Sequence, residues 1–449
     1  MTFELPAIHD RVISLDVHSR QITVCALIVE ETAISRLIHQ QYGTFKRELS
    51  DMAQWILDLN PDRVVMESTG IYWMAPYEAL EKVGIIPIVV NPRHVKSLKG
   101  HKTDISDAHR LALLARADLL KGSFVPPKKF RDLRILSRQR KNYVNQLASL
   151  KNRLQSLLTA IGVRLGTVVS DIHGKSARAM IKAIIDGKEP EAIILLASNR
   201  LKASKAELLD AVQANMTPQH KFVLADLMHR IEQAEAGIAE YEKQLLDGLE
   251  EERPYLEILQ TIPGIGRVGA AMLLVEIGTD MSVFGKAKRA ASWIGLSPGN
   301  NESAGKRKSG RTTKGNSYAK TLLVEFAHAA RRTDSVFKAK FQSLVGRTGF
   351  KRAIIAVAHK ILRTVFALLK NRVAYKDSSV DYEALVAKRN APRWIRQLKK
   401  AGFLDKILEE YLREKAAKAL FEEAKALREK EAGAPPDKEG AHLYTKVSA

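Results

Sequence analysis

Cysteine is almost absent. The chain of 449 residues carries one, Cys25, which excludes intrachain disulfides and any cysteine-rich zinc site. Aromatic residues are thin, at 6%. No apolar run approaches the ~20 residues that a spanning helix needs. The best stretch, Ala353 to Leu369, is interrupted by His359, Lys360 and Arg363. The first residues, MTFELPAIHD, lack the basic start and apolar core of a secretory signal, so a cytoplasmic protein away from membranes is expected. Acidic residues are in deficit: 72 Lys plus Arg against 50 Asp plus Glu leave a net charge of +22. That excess calls for a polyanionic partner, nucleic acid before all others. What the chain does have is apolar content, 45%, which excludes a disordered chain. Its length suits two to four domains of ~100–200 residues.

Residues 11–39 read as consecutive strands, RVISLDVH, QITVCALIV and SRLIHQ, joined by short turns. Lys46–Leu59 has Leu49, Met52, Trp55, Ile56 and Leu59 at helical spacing. A buried-type strand RVVM follows and ends in Glu67. Then come a Ser-Thr-Gly turn, a helix around Trp73–Val83 and a strand IIPIVV running to Asn91-Pro92. This alternation predicts an α/β domain, with antiparallel strands at one side of a mixed sheet. From about Phe130 to Leu259 the pattern changes to long helices. Leu147, Leu150, Leu154 and Leu157 recur at three and four, as do Leu224, Leu227, Ile231, Ala234, Ile238, Tyr241 and Leu245. Such seams pair with each other, across subunits, or as ordinary bundle packing. A boundary is expected near Glu252–Pro254, helices from about Tyr318 to Asn371, and a charged tail that is helix-prone over Leu404–Lys430 and disordered beyond.

Four carboxylates stand out by position. Asp16 interrupts an apolar strand, which is costly unless it has a partner or a task. Glu67 ends RVVM. Asp104 and Asp107 lie three apart at the start of a helix that Thr103 can cap, so they share one face. Carboxylates at strand ends joined by such a pair can hold two Mg²⁺ ions, with Mn²⁺ as the alternative, about 4 Å apart for phosphodiester displacement. Caps and salt bridges are the competing reading. Arg93, His94, Lys96, Lys99, His101 and Lys102 precede the Asp pair, as a phosphate backbone would require or as a solvated loop would allow.

A second site is suggested by TIPGIGRVGAAM, which fits a helix-hairpin-helix turn. Gly264 and Gly266 would let backbone N–H groups approach a phosphate at a helix N-terminus. A tight helix–helix turn without a ligand is the alternative. Between Lys286 and Lys320 stand nine basic residues, among them Lys306, Arg307, Lys308, Arg311 and Lys314, against one acid, Glu302. Gly, Asn and Ser fill the gaps, which predicts a flexible cationic loop following a phosphate backbone. Ser303 and Ser309 are placed to touch phosphate. Taken alone, a serine there is a hydrogen-bond donor rather than a nucleophile.

Five stretches in order, SLDVHSRQITVC, MESTGIYW, NPRHVKSLKGHKTDISDAHRLA, LQTIPGIGRVGAAMLL and ASWIGLSPGNNESAGKRKSGRTTKGN, resemble the DEDD transposases of bacterial insertion sequences. The resemblance is to the IS one-ten family, most closely its eleven-eleven subgroup, and spans about residues 11–371. It implies α/β plus all-α architecture. A RuvC-like (ribonuclease H-like) catalytic domain would occupy residues 1–125, a helical coiled-coil assembly domain 126–255, and a C-terminal transposase domain with the helix-hairpin-helix and serine loop 256–372. A charged tail, 373–449, is not covered. The resemblance further implies an acidic quartet at Asp16, Glu67, Asp104 and Asp107, a nucleophilic serine at Ser303, and a guide RNA encoded in the element's flank that pairs with donor and target DNA. A homodimer assembling to a tetramer on DNA is implied too. Two other functions remain open from the residues: a RuvC-like junction nuclease that uses water, and a non-catalytic architectural protein on nucleic acid.

Overall fold

The computed structural model describes residues 8–29, 35–68, 70–92, 95, 107–199, 201–299, 301–303, 306–377 and 382–432. The chain divides into two compact units, Met1–Thr333 with Ile354–Lys376, and Asp334–Ala353 with Asp377–Ala449.

The first unit opens with strands Arg11–Val17 (β1), Gln21–Val29 (β2) and Ser35–Gly43 (β3), then helix Lys46–Asp58 (α1), strand Arg63–Glu67 (β4), helix Met74–Lys82 (α2), strand Ile88–Val90 (β5) and helix Asp107–Arg116 (α3). The five strands form one mixed sheet in the order β3-β2-β1-β4-β5. β1, β2 and β3 are antiparallel neighbours, whereas β4 runs parallel to both β1 and β5. Both faces of β1 are covered, and its period of two sorts them. Ile13, Leu15 and Val17 pack with Leu49, Met52 and Ile56 of α1 and with Leu80 of α2. Val12 packs with Val65, Val90 and with Leu111, Leu114 and Ala115 of α3. The sequence pattern IIPIVV contributes only Ile88–Val90 to the sheet, because Pro87 has no N–H for the ladder.

Helix Lys128–Ala160 (α4) leads to four shorter helices, Leu165–Val168 (α5), Lys175–Ile185 (α6), Pro190–Ile194 (α7) and Lys205–Val212 (α8), and the long helix Pro218–Asp247 (α9) returns. The two leucine seams pair with each other within one chain. Leu154 and Leu158 of α4 share a core with Leu224, Leu227 and Ile231 of α9, and α6 to α8 close it at that end. Tyr143 meets Tyr241 at 5.4 Å further along, so the helices are antiparallel.

Helices Arg253–Gln260 (α10), Arg267–Ile277 (α11), Ala287–Ile294 (α12) and Ser317–Ala330 (α13) follow, with strands Asn301–Ser303 (β6) and Lys306–Ser309 (β7) between the last two. The chain continues through helices Val336–Thr348 (α14), Phe350–Asn371 (α15), Tyr382–Lys400 (α16) and Leu404–Ala432 (α17). In the second unit Val336, Phe337 and Phe341 are buried, and the Val336 N–H donates to the Asp377 carboxylate at 3.1 Å. Among the described residues, no helix is long and apolar enough to cross a membrane.

Candidate active site

The acids are positioned by the face of β1 that α3 covers. Ser14, fully buried, donates its hydroxyl to the Ala108 carbonyl at 2.5 Å and so fastens the first turn of α3 to the middle of β1. Asp16 lies two residues further along the same face. Glu67 stands two residues beyond Val65, whose side chain is also on the α3 face. In the parallel register Leu15 pairs with Met66, so Asp16 and Glu67 are the next residues on neighbouring strands. Asp107 opens α3, directly before the carbonyl that Ser14 holds. Three of the four predicted acids therefore come from adjoining elements on one side of the sheet. Asp104, with Arg93, Lys96 and Lys102, lies outside the described residues.

Asp16 is half-buried and its Oδ2 stands 3.2 Å from Nε2 of the exposed His18. Glu67 is half-buried beside Val90 in the adjoining strand. These are hard oxygen donors in a partly dry setting, which suits a divalent cation. Among the described residues no three Asp, Glu, His or Cys side chains converge closely enough to hold an ion together. Cys25, on the same face of β2, is buried against Ala108 and Ala112. Burial pushes its thiol up to about 11, so it is packing rather than a nucleophile.

The serine stretch is an antiparallel hairpin, not the flexible loop that its composition suggests. Ser303 pairs with Lys306, Glu302 with Arg307 and Asn301 with Ser309. The ladder continues outside the strands: the Gly299 N–H donates to Arg311 O at 2.9 Å and the Thr313 N–H to Ser297 O at 3.0 Å. The backbone of residues 301–303 and 306–309 sets Ser303 opposite Lys306 at the end of the paired stretch. Arg311 and Lys314, both just beyond β7, are exposed.

The hairpin base is held by a network that the sequence reading did not single out. Glu276 of α11 is fully buried. It accepts from Arg138 at 3.1 and 3.2 Å and from the Asn316 side-chain amide at 2.7 Å, and it forms an ion pair with Arg134, whose Nε lies 3.2 Å away and donates to Val275 O at 2.9 Å. Asn316 in turn caps α13 by accepting from the N–H groups of Tyr318 and Ala319. Its own N–H donates to Trp293 O at 3.1 Å. The Arg138 guanidinium lies 4.5 Å from the Tyr318 ring centroid. Burial pulls Arg134 down to about 10 although Glu276 opposes it. The signal was present: Glu276 is the sole charged residue between Arg267 and Asp280, an acid in an apolar helix.

The Pro-Gly-x-Gly turn joins α10 to α11. Gly264 has φ +90°, and a Cβ there would stand 2.7 Å from Ala330 N and 2.9 Å from Phe326 O. Helix packing on α13 therefore accounts for this glycine. Gly266 is different: it is exposed, caps α11, and nothing lies within 4 Å of its Cβ direction.

A mixed sheet with neighbouring acids on two parallel strands, followed by a helical body and a hairpin rich in Lys and Arg, is an arrangement suited to proteins that act on nucleic-acid phosphodiesters. Family comparison narrows it. The DEDD transposase model of IS110 elements matches residues 13–163, and the model described as Transposase IS116/IS110/IS902 family matches residues 256–342. Together they cover more than half of the chain, which belongs to the IS110/IS116/IS902 family and is a DNA transposase. The transposase for insertion sequence element IS1111A of Coxiella burnetii is 26% identical over 324 residues, 70% of this chain and 79% of that one. A Pseudomonas aeruginosa protein named "Probable family 20 transposase" is 26% identical over 329 residues, 71% of this chain and 87% of that one. Membership in a DEDD family points to a divalent metal and to DNA as the substrate.

Proposed function

We propose that this transposase cuts and rejoins DNA through a covalent serine–phosphodiester at Ser303, with Asp16, Glu67, Asp104 and Asp107 as its acidic quartet. The observation that carries the reading is the placement of Asp16 and Glu67 side by side on parallel strands, on the face where Asp107 opens α3. The strand order β3-β2-β1-β4-β5 supports a RuvC-like domain within residues 1–125. Residues 126–255 would then serve assembly, to a dimer and on DNA a tetramer, and 256–372 would carry the helix-hairpin-helix and the serine. Residues 373–449 form the charged tail.

In the proposed step the Ser303 oxygen attacks phosphorus and the bond to the outgoing deoxyribose oxygen breaks. That oxygen takes a proton, and the serine's proton passes to a neighbouring base. One phosphodiester replaces another, so a hydroxyl of the partner strand can reverse the step without ATP. The four carboxylates would hold Mg²⁺, or Mn²⁺, which supplies charge neutralisation at the phosphate oxygens. Arg307, Arg311 and Lys314 stabilise charge on the five-coordinate phosphorus. Lys306 and Lys308, with Arg93, Lys96, Lys102 and Gly266, hold the backbone, while Gly264 serves the packing of α11 on α13. Site choice is delegated to a guide RNA encoded by the element. The setting is the bacterial cytoplasm.

The test is a search for the adduct. Wild type, Ser303→Ala and Asp16→Asn are expressed with the element's flanking DNA, denatured, nuclease-trimmed and analysed for a nucleotide-bearing peptide. An adduct on the Ser303 peptide, absent from the alanine variant and depleted in Asp16→Asn, is expected. Cleavage persisting in Ser303→Ala would replace this reading with a water-using nuclease.

A further inference from the structure

We propose that the turn following Glu67 is a stacking site for an unpaired base of the DNA strand held at the acids, with Tyr72 as the platform and Ile71 as the wedge. The inference rests on the reading of Asp16 and Glu67 as the phosphodiester site, and adds what grips the strand beside it.

The C-terminal ends of β1 and β4, the end of β3 and the start of β2 all lie at one edge of the sheet. That edge is the one bearing Asp16 and Glu67. Its loops expose large apolar side chains: Ile71 is 74% exposed, Tyr72 47% and Phe45 79%. Arg20 in the β1–β2 loop and Lys46 and Arg47 in the first turn of α1 are exposed at the same end. Cations interleaved with aromatic and aliphatic groups match a nucleic-acid strand, whose backbone is anionic and whose bases are apolar on their faces.

The described residues on either side of the turn are tied down. The Ser68 N–H donates to Val90 O at 3.0 Å, and the Met74 N–H donates to Ile71 O at 3.2 Å. Trp73 turns inward and meets Tyr77 edge-on at 5.6 Å. Gly70 takes φ +56°, and a Cβ on it would lie 3.7 Å from Cδ2 and Cε2 of Tyr72. A side chain at position 70 would therefore lie against the edge of the Tyr72 ring, whereas Gly70 leaves that space free, and much of the ring stays open to solvent. In a duplex the faces of the bases are covered by their neighbours. A ring of this kind can therefore stack only on a base that has left the helix. Strand exchange requires such bases next to the phosphate being transferred.

The experiment uses the full chain and a short single-stranded oligonucleotide carrying 2-aminopurine, with the matching duplex as control. Tyr72→Ala should weaken single-strand binding about tenfold and leave duplex binding within about twofold, the worth of one base–aromatic stack. It should also abolish the 2-aminopurine quenching that is expected with wild type. Tyr72→Phe keeps the ring and should preserve both affinity and quenching. Equal losses on single strand and duplex, or unchanged quenching in Tyr72→Ala, would overturn the proposal. The two readings fail separately. A Ser303 adduct together with wild-type single-strand binding by Tyr72→Ala removes the stacking site alone. Tyr72-dependent binding without any adduct keeps the stacking site and removes the serine mechanism.

Discussion

At the scale of single residues, two glycines two positions apart do different work. Gly264 sits in the left-handed region and its missing Cβ leaves room for the backbone of α13. Gly264→Ala combines backbone strain with a clash against main-chain atoms, which cannot swing aside as a flexible side chain would. A loss of roughly 2–3 kcal/mol in unfolding free energy is expected, read by chemical denaturation. Gly266 has open space around it and an ordinary φ of −89°. Gly266→Ala should therefore leave the denaturation midpoint nearly unchanged and, if its N–H meets phosphate, weaken DNA binding. Equal destabilisation by both substitutions would refute the distinction. The motif was legible in the sequence as Pro-Gly-x-Gly. Which glycine serves packing was not, because the partner atoms belong to Phe326 and Ala330, far along the chain.

At the scale of elements, buried charge decides how pieces are joined. Glu276 gathers α4, α11 and the cap of α13 through Arg134, Arg138 and Asn316. Replacing it by Gln keeps the shape but leaves Arg134 buried without a counter-charge, which should cost ~3 kcal/mol or more. The hairpin stem is anchored at the same place, so adduct formation at Ser303 should fall further in Glu276→Gln than duplex affinity does. Parallel losses of both would argue for general unfolding instead. A second joint is Glu235 of α9, which Arg178 of α6 grips at 2.6 and 2.7 Å and Lys151 of α4 at 3.1 Å. The Arg178 hydrogen bonds, against the opposing effect of burial, hold Glu235 down to about 2 rather than 4.5. A depressed carboxylate contributes stability above its unfolded value and loses it as pH falls through the folded one. Wild type should thus lose stability more steeply than Glu235→Gln between about pH 4.5 and pH 2, as followed by urea unfolding. Superimposable pH profiles would contradict this. Elements with a near-continuous apolar run, such as β1, or a strict apolar period, such as the two leucine seams, were readable from sequence because β1 is buried on both faces and each seam on one. The serine hairpin was not, since its Gly, Asn, Ser and Lys residues show no alternation of apolar with polar types, and the pairing of its strands is a backbone property.

At the scale of the whole molecule, the +22 charge governs how DNA is held, since each phosphate neutralised releases counterions. The slope of log affinity against log salt falls by about 0.9 for each such contact on duplex DNA. Arg311 and Lys314 are exposed cations on the hairpin's returning side. If both meet phosphate, the double substitution to Ala should make the slope shallower by roughly 1.8. The loss of affinity should also be alike on unrelated duplex sequences, because phosphate contacts carry no base information. Anisotropy titrations across a salt series measure both quantities on one preparation. An unchanged slope would place the DNA elsewhere on the basic surface and separate the hairpin from the substrate. A sequence-dependent loss would mean that these side chains read bases, which would leave less of site choice to be delegated to a guide RNA.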